Sequence, residues 1–107
     1  MRSYDRMDRV NAQLQRLLGE LIQRTYQTQD LVTITSVQTT RDLKQAKVRI
    51  AAHANLDQHV AALNSQAYEL RSLIKPKLDF KSIPVLTFVA DRTNDRIVAV
   101  EALLDRL

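Results

Sequence analysis

Cysteine and tryptophan are absent from this 107-residue chain, glycine occurs once, at Gly19, and proline twice, at Pro76 and Pro84. Without cysteine there is no disulfide framework, and zinc-thiolate, iron–sulfur and thiol chemistry are excluded. The absence fits a reducing compartment. No Walker loop, dinucleotide fingerprint or nucleophile elbow is present. No apolar run approaches the ~18 residues of a membrane span. The opening MRSYDRMDRV carries charge where a signal peptide needs an unbroken apolar stretch. The expectation is a soluble, cytoplasmic protein with no membrane partner.

What the chain does contain is a moderate apolar fraction of 45% and an excess of base, 16 Lys and Arg against 12 Asp and Glu, for a net charge of +4. A chain of this length forms one domain and buries roughly two thirds of its unfolded surface, enough for a core without metal or disulfide. The positive balance permits a polyanionic partner without requiring one.

Hydrophobic periodicity supplies the organisation, since repeats, linkers and low-complexity tracts are missing. Met7, Val10, Leu14, Leu17, Leu18, Leu21 and Ile22 follow one helical face, predicting a helix over 4–26 with Ser3 as a cap. Arg2, Arg6, Arg9 and Arg16, with Gln13 between, form a second stripe at the same spacing. Asp5, Asp8 and Glu20 lie close enough to dilute its field, so it reads either as a binding stripe or as a solvated face.

LVTITSVQTT is rich in β-branched residues and predicts a strand over 31–39. A Thr-Arg-Asp turn, with Asp42 placed to accept main-chain hydrogen bonds, leads to a second strand over 45–52 and so to a hairpin. In that second strand apolar Ala46, Val48 and Ile50 alternate with Lys47 and Arg49. Solubility alone explains a polar outer face; a polyanionic partner explains a cationic one.

From Asp57 the period returns to helical through Val60, Leu63, Ala67, Leu70 and Ile74, ending where Lys75 meets Pro76. This is one long helix or two joined without loss of phase. Asn64 and Ser65 mark a bend, because their side chains compete with the backbone. Asn64, Tyr68, Arg71 and Lys75 share another face of it. A ring between two cations can stack on a base while the cations pair phosphates, or Tyr68 can lie half-buried at the edge of the core. PVLTFVAD, 84–91, is apolar on both faces and predicts a strand covered on both sides or held centrally, with Pro84 at its start. After DRTND, Ile97, Val100, Leu103, Leu104 and Leu107 describe a short closing helix. The order is α-β-β-α-α-β with a C-terminal helix, an α+β fold with helices packed on a three-stranded sheet.

An enzyme reading finds little to stand on. His53 and His59 lie in a polar connection and an early helix, are read as surface residues, and have no cysteine or acidic cluster beside them. Asp91 and Asp95 fit the end of a strand and the cap of a helix better than a catalytic pair. No cofactor or small-molecule substrate is implied.

The run TRDLKQAKVRI, following the YDRMDRVNAQLQRLLGELI helix and the LVTITSV strand, resembles the ribosome-binding factor A family, as do SIPVLTFVAD and IVAVEALLDRL. The resemblance spans nearly the whole chain. It implies a KH-like fold of the helix-first type, and a factor for maturation of the 30S ribosomal subunit that contacts 16S ribosomal RNA. KH domains ordinarily clamp nucleic acid with a GXXG loop. With Gly19 inside the first helix and no other glycine, such a loop is impossible here.

The family carries instead a bend between its middle helices, usually with an Ala-x-Gly element. Gln66, Ala67 and Tyr68 stand at that place, and tyrosine tolerates a left-handed backbone poorly. A shallow bend or nearly continuous helix is therefore expected. The entry to the first strand, YQTQDLVTIT, is shorter than in the family, where an Asp-Pro pair is more usual. The chain ends with the closing helix, so the expectation is that the folded domain itself does the binding.

Candidate RNA-binding residues are Lys44, Lys47 and Arg49 of the hairpin, Tyr68, Arg71 and Lys75 of the middle helix, Lys77 and Lys81 beyond it, and Arg6 and Arg9 of the first helix. The reading requires that cations from these separate parts meet on one side. The expected action is stoichiometric binding by a monomer, since no large spare apolar stripe remains. The alternative is a protein-interaction or dimerisation module whose basic residues only solvate it.

Overall fold

Helix α1, Tyr4–Thr25, turns its leucine stripe inward and leaves its arginines outside in the computed structural model, which describes residues 4–78 and 83–93. Leu14 and Leu18 are fully enclosed, and Val10, Leu17, Leu21 and Ile22 line the same buried seam. The proposed cap Ser3, Arg2, Lys81, Asp95 and the closing helix lie outside the described residues.

Strand β1, Thr33–Thr39, begins two residues later than its β-branched run, and pairs antiparallel with β2, Gln45–Ala51. A bulge between Ile34 and Ser36 lets both Ile34 and Val37 face the core. Asp42 shapes the connecting turn: its Oδ1 accepts from the Thr40 hydroxyl at 2.6 Å and from the Lys44 N–H at 3.0 Å. The turn closes through Leu43, whose φ of 60° is left-handed and whose N–H donates to the Thr40 carbonyl.

After β2 come α2, Leu56–Ser65, and α3, Ala67–Ile74, followed by a 3₁₀ turn, Lys75–Lys77, that carries Pro76. One non-helical residue, Gln66 at φ −101° and ψ 4°, separates α2 from α3. Main-chain bonds run across the join, from Gln66 N–H to the Ala62 and Leu63 carbonyls and from Leu70 N–H to the Gln66 carbonyl. Ser65 returns its hydroxyl to the Ala62 carbonyl at 2.7 Å. Tyr68 sits inside α3 with no left-handed backbone, so nothing at the join needs a glycine.

Strand β3, Val85–Ala90, then enters parallel to β2, giving the sheet order β1-β2-β3. The three helices of the described residues cover one face. Val48, Ile50 and Phe88 point into that layer and meet Leu63, Leu70 and Ile74 from α2 and α3. Each such enclosed side chain contributes roughly 1.5–3 kcal/mol of transfer free energy.

The apolar run of β3 predicts a central or doubly covered strand, and this is corrected: β3 is an edge strand whose Val85 is 51% exposed on the uncovered face. An edge strand normally offers unpaired main-chain groups to other chains. Here α2 closes it. The Asn64 carboxamide donates to the Phe88 carbonyl at 2.9 Å and accepts from the Phe88 N–H at 2.7 Å. The opposite edge is treated likewise, with Asn11 Oδ1 accepting from the Thr39 N–H and Gln15 Nε2 donating to the Ile34 carbonyl. Helix-borne amides thus take the place of a fourth strand on each side.

Candidate nucleic-acid interface

Alternation along β2 decides where its cations go. Ala46, Val48 and Ile50 are buried under the helices, so Lys47 and Arg49 project from the opposite face of the sheet, which no described helix covers. Lys47 lies between Gln38 on β1 and Thr87 on β3, and Arg49 lies between Ser36 and Val89. Arg49 Nη1 donates to Gln38 Oε1 at 2.7 Å, which fixes the guanidinium over the sheet. Gln38, Thr39, Gln45, Lys47 and Thr87, with Ala46, border a shallow groove there. Lys44 is exposed at its rim, with Asp42 close enough to offset part of its charge.

The other candidates do not join this face. Arg71, on α3 in the helix layer, donates from Nε and Nη2 to the Ile83 carbonyl at 3.0 and 2.6 Å, pinning the approach to β3. Lys75 and Lys77 are exposed beyond the last turn of α3, where positive charge complements the helix dipole. Arg6 and Arg9 are exposed on α1, and Arg16 pairs with Glu20 at 3.8 Å. The expected meeting of Lys47, Arg49, Arg71 and Lys75 on one side is therefore corrected: the sheet separates the first two from the last two. Sequence periodicity assigns faces within one element, and the error lay in joining faces across layers.

Tyr68 is 76% exposed and does not lie half-buried against the core. It stands on the flank of α3 between Asn64 and Arg71, the two residues that hold the β3 side.

His59 corrects the surface reading of the histidines. It is 8% exposed, with Nε2 at 2.7 Å from Asp30 Oδ2 and Nδ1 at 2.6 Å from Tyr26 Oη. A carboxylate can only accept, so Nε2 carries hydrogen, and in the tautomer with hydrogen on Nε2 alone Nδ1 accepts from the Tyr26 hydroxyl. Asn55 adds a second donor to Asp30 at 3.1 Å. These bonds hold the Asp30 carboxyl below its usual range, His59 first and Asn55 second, while burial and then the Asp30 charge push the Tyr26 phenol up. A raised phenol is the wrong direction for a nucleophile, and the cluster acts as a clasp joining the end of α1, the α1–β1 connection and α2. His53 remains exposed. Among the described residues, no group of His, Cys, Asp or Glu is arranged to hold a metal.

Asp91, just past β3, accepts from the Thr35 hydroxyl at 2.6 Å and from the Thr93 N–H at 3.0 Å. These bonds, the Thr35 one foremost, lower its pKa from 3.8 to about 2. A carboxyl depressed on folding stabilises the fold above its unfolded pKa and ceases to do so as pH falls through its folded value. Asp91→Asn is therefore expected to be less stable than wild type at neutral pH. The gap should close as pH falls from 3.8 to about 2. Urea denaturation at pH 7, 4 and 2 reads it, and a gap independent of pH contradicts the assignment.

Helices on one side of a mixed three-stranded sheet, in the order α-β-β-α-α-β and without a glycine loop, define a KH-like domain of the helix-first type. Among solved structures, the crystal structure of ribosome-binding factor A from Thermus thermophilus superposes with a TM-score of 0.75 at 24% identity, covering 81% of this chain and 98% of that one. A solution structure from Thermotoga maritima, described as a putative ribosome binding factor A, gives 0.71 at 22% identity, over 87% of this chain and 93% of that one. The sequence model of ribosome-binding factor A matches residues 6–104. Proteins of that name from Pseudomonas putida and Pseudomonas aeruginosa are 38% and 36% identical over 98% of this chain, with 85% and 87% of their own lengths covered. The chain belongs to the ribosome-binding factor A family. Among the described residues no helix is long and apolar enough to cross a membrane.

Proposed function

We propose that this protein is a maturation factor for the small ribosomal subunit, binding 16S ribosomal RNA in free or immature 30S particles and assisting late assembly and processing. The observation that carries this reading is the family match over residues 6–104. A homology model of the Thermus thermophilus ribosome binding factor A has been fitted into a map of a 30S complex of that protein; it superposes here with a TM-score of 0.67 at 24% identity over 76% of this chain and 90% of that one. Supporting it from the residues are exposed cations, Lys47 above all, that no carboxylate within the described chain neutralises in an ion pair.

The action is stoichiometric, by a cytoplasmic monomer, with no chemical step. The domain binds one conformation of the subunit's RNA better than another, favours it by that difference in affinity, and leaves when maturation removes the surface. Co-sedimentation of tagged protein with immature and mature subunits across a salt series tests this. The expected result is preference for immature particles, with a log–log salt slope steepened by roughly 0.7–0.9 for each phosphate contact. Equal affinity for the two particles, indifference to salt, or magnesium-dependent turnover of RNA overturns it.

A further inference from the structure

We infer that the face of the β1-β2-β3 sheet opposite the described helices docks on the sugar-phosphate backbone of an RNA helix, a deepening that rests on the ribosomal reading above. Three observations point there.

The first is electrostatic. Lys47 and Arg49 occupy the central strand, on the face that no described helix covers. Two residues along one strand, their side chains emerge about 6.6 Å apart, a spacing comparable to that of successive phosphates on one RNA strand. Neither forms an ion pair with a carboxylate among the described residues. The carboxylate that adjoins this face, Asp91, is held by Thr35 and Thr93 at the end of the strands and also feels the Arg49 charge, so Lys47 is the less offset of the two cations.

The second is the company these cations keep. Gln38 and Thr87 flank Lys47 across the sheet, Gln45 precedes it, and Gln38 already orients Arg49. Short neutral amides and hydroxyls beside the cations suit 2′-hydroxyls and phosphate oxygens.

The third is what the face lacks. Sheets that read single strands present aromatic rings on which bases stack. The strand residues on this face are Thr, Gln, Lys, Arg, Ala, Val and Ser, and the exposed ring of Tyr68 belongs to α3 in the other layer. A helix, whose bases are already paired and stacked, needs no such platform. It is recognised by shape, phosphates and 2′-hydroxyls.

The test uses the full chain and three probes: free small subunits, a synthetic RNA hairpin with a long duplex stem, and a single-stranded RNA of equal length. The pair Lys47→Gln/Arg49→Gln is compared with Arg16→Gln/Arg24→Gln, which removes the same charge from α1. Thermal melts confirm that both variants fold. The expected result is a wild type that prefers the stem to the single strand, and a sheet-face variant whose salt slope is shallower by about 1.4–1.8, with affinity at low salt reduced by tens of fold. The α1 variant should keep the wild-type slope.

If the wild type binds subunits and the sheet-face variant binds them equally well, this surface is wrong while the ribosomal reading stands. Preference for the single strand overturns the occupant. Loss of subunit binding in the sheet-face variant, from a wild type that binds neither RNA, assigns the face to a protein and overturns the inference. A wild type that binds neither subunits nor RNA removes the ribosomal reading as well.

Discussion

Asn64→Leu is expected to destabilise the domain by about 2 kcal/mol, although the residue is exposed and its replacement is close in size. The cause lies on the neighbouring strand. The Asn64 amide is the outer partner of both main-chain groups of Phe88, a residue whose own side chain is 1% exposed. Leucine leaves a donor and an acceptor unpaired beside the core, which costs more than the loss of an ordinary surface hydrogen bond. In a domain of this size the melting temperature should fall by on the order of 10 °C. Asn64→Asp separates the two halves of the contact: its carboxylate still accepts from the Phe88 N–H but cannot donate to the Phe88 carbonyl and repels it. That variant should do no better than leucine near neutral pH. A leucine variant within the error of wild type by urea denaturation removes the edge-closing role.

A second large effect is expected at His59, where leucine replaces a ring with two hydrogen-bond partners. The Asp30 carboxylate loses its closest donor and the Tyr26 hydroxyl its acceptor. The expected loss is about 2 kcal/mol. Tyr26→Phe alone should cost about 1 kcal/mol, and the double variant should be no less stable than His59→Leu, since the hydroxyl has nothing left to bond. Denaturation of the four proteins of that cycle measures the coupling. Strict additivity would mean that the two residues stabilise separate parts of the chain.

Much of this fold was legible in the order of its residues. The leucine stripe of α1, the β-branched run of β1, the alternation of β2 and the continuous register from Val60 to Ile74 are periodic, and periodicity reports which side of an element is buried. The same register carried through Gln66, so a join without a left-handed residue was readable from Tyr68 standing where glycine is usual. The Asp42 turn was readable for the same kind of reason, a side chain bonding its own neighbourhood.

What was not legible depended on contacts between distant segments. Nothing local distinguishes Val85, Val89 and Phe88 as members of an edge strand, because the amide that closes the edge belongs to α2. His59 resembles any polar residue in the first turns of a helix until Asp30 and Tyr26 are brought to it. Alternation along β2 shows which side of that strand carries Lys47 and Arg49, yet the layer order that separates them from Arg71 is a tertiary fact. One local signal does exist: Gln38 and Thr87 share the alternation of exposed residues in their strands, which puts polar neighbours around Lys47.

The parallel pairing of β3 with β2 also sets an order of events. The β1–β2 hairpin joins neighbours in sequence and can form as soon as Ala51 has been made, whereas Val85 must find Gln45 across the whole of α2 and α3. During synthesis the central strand therefore waits, one edge bare and Val48 and Ile50 uncovered by Phe88, until β3 itself leaves the ribosome. The most protected strand of the finished molecule is the one most dependent on a late arrival.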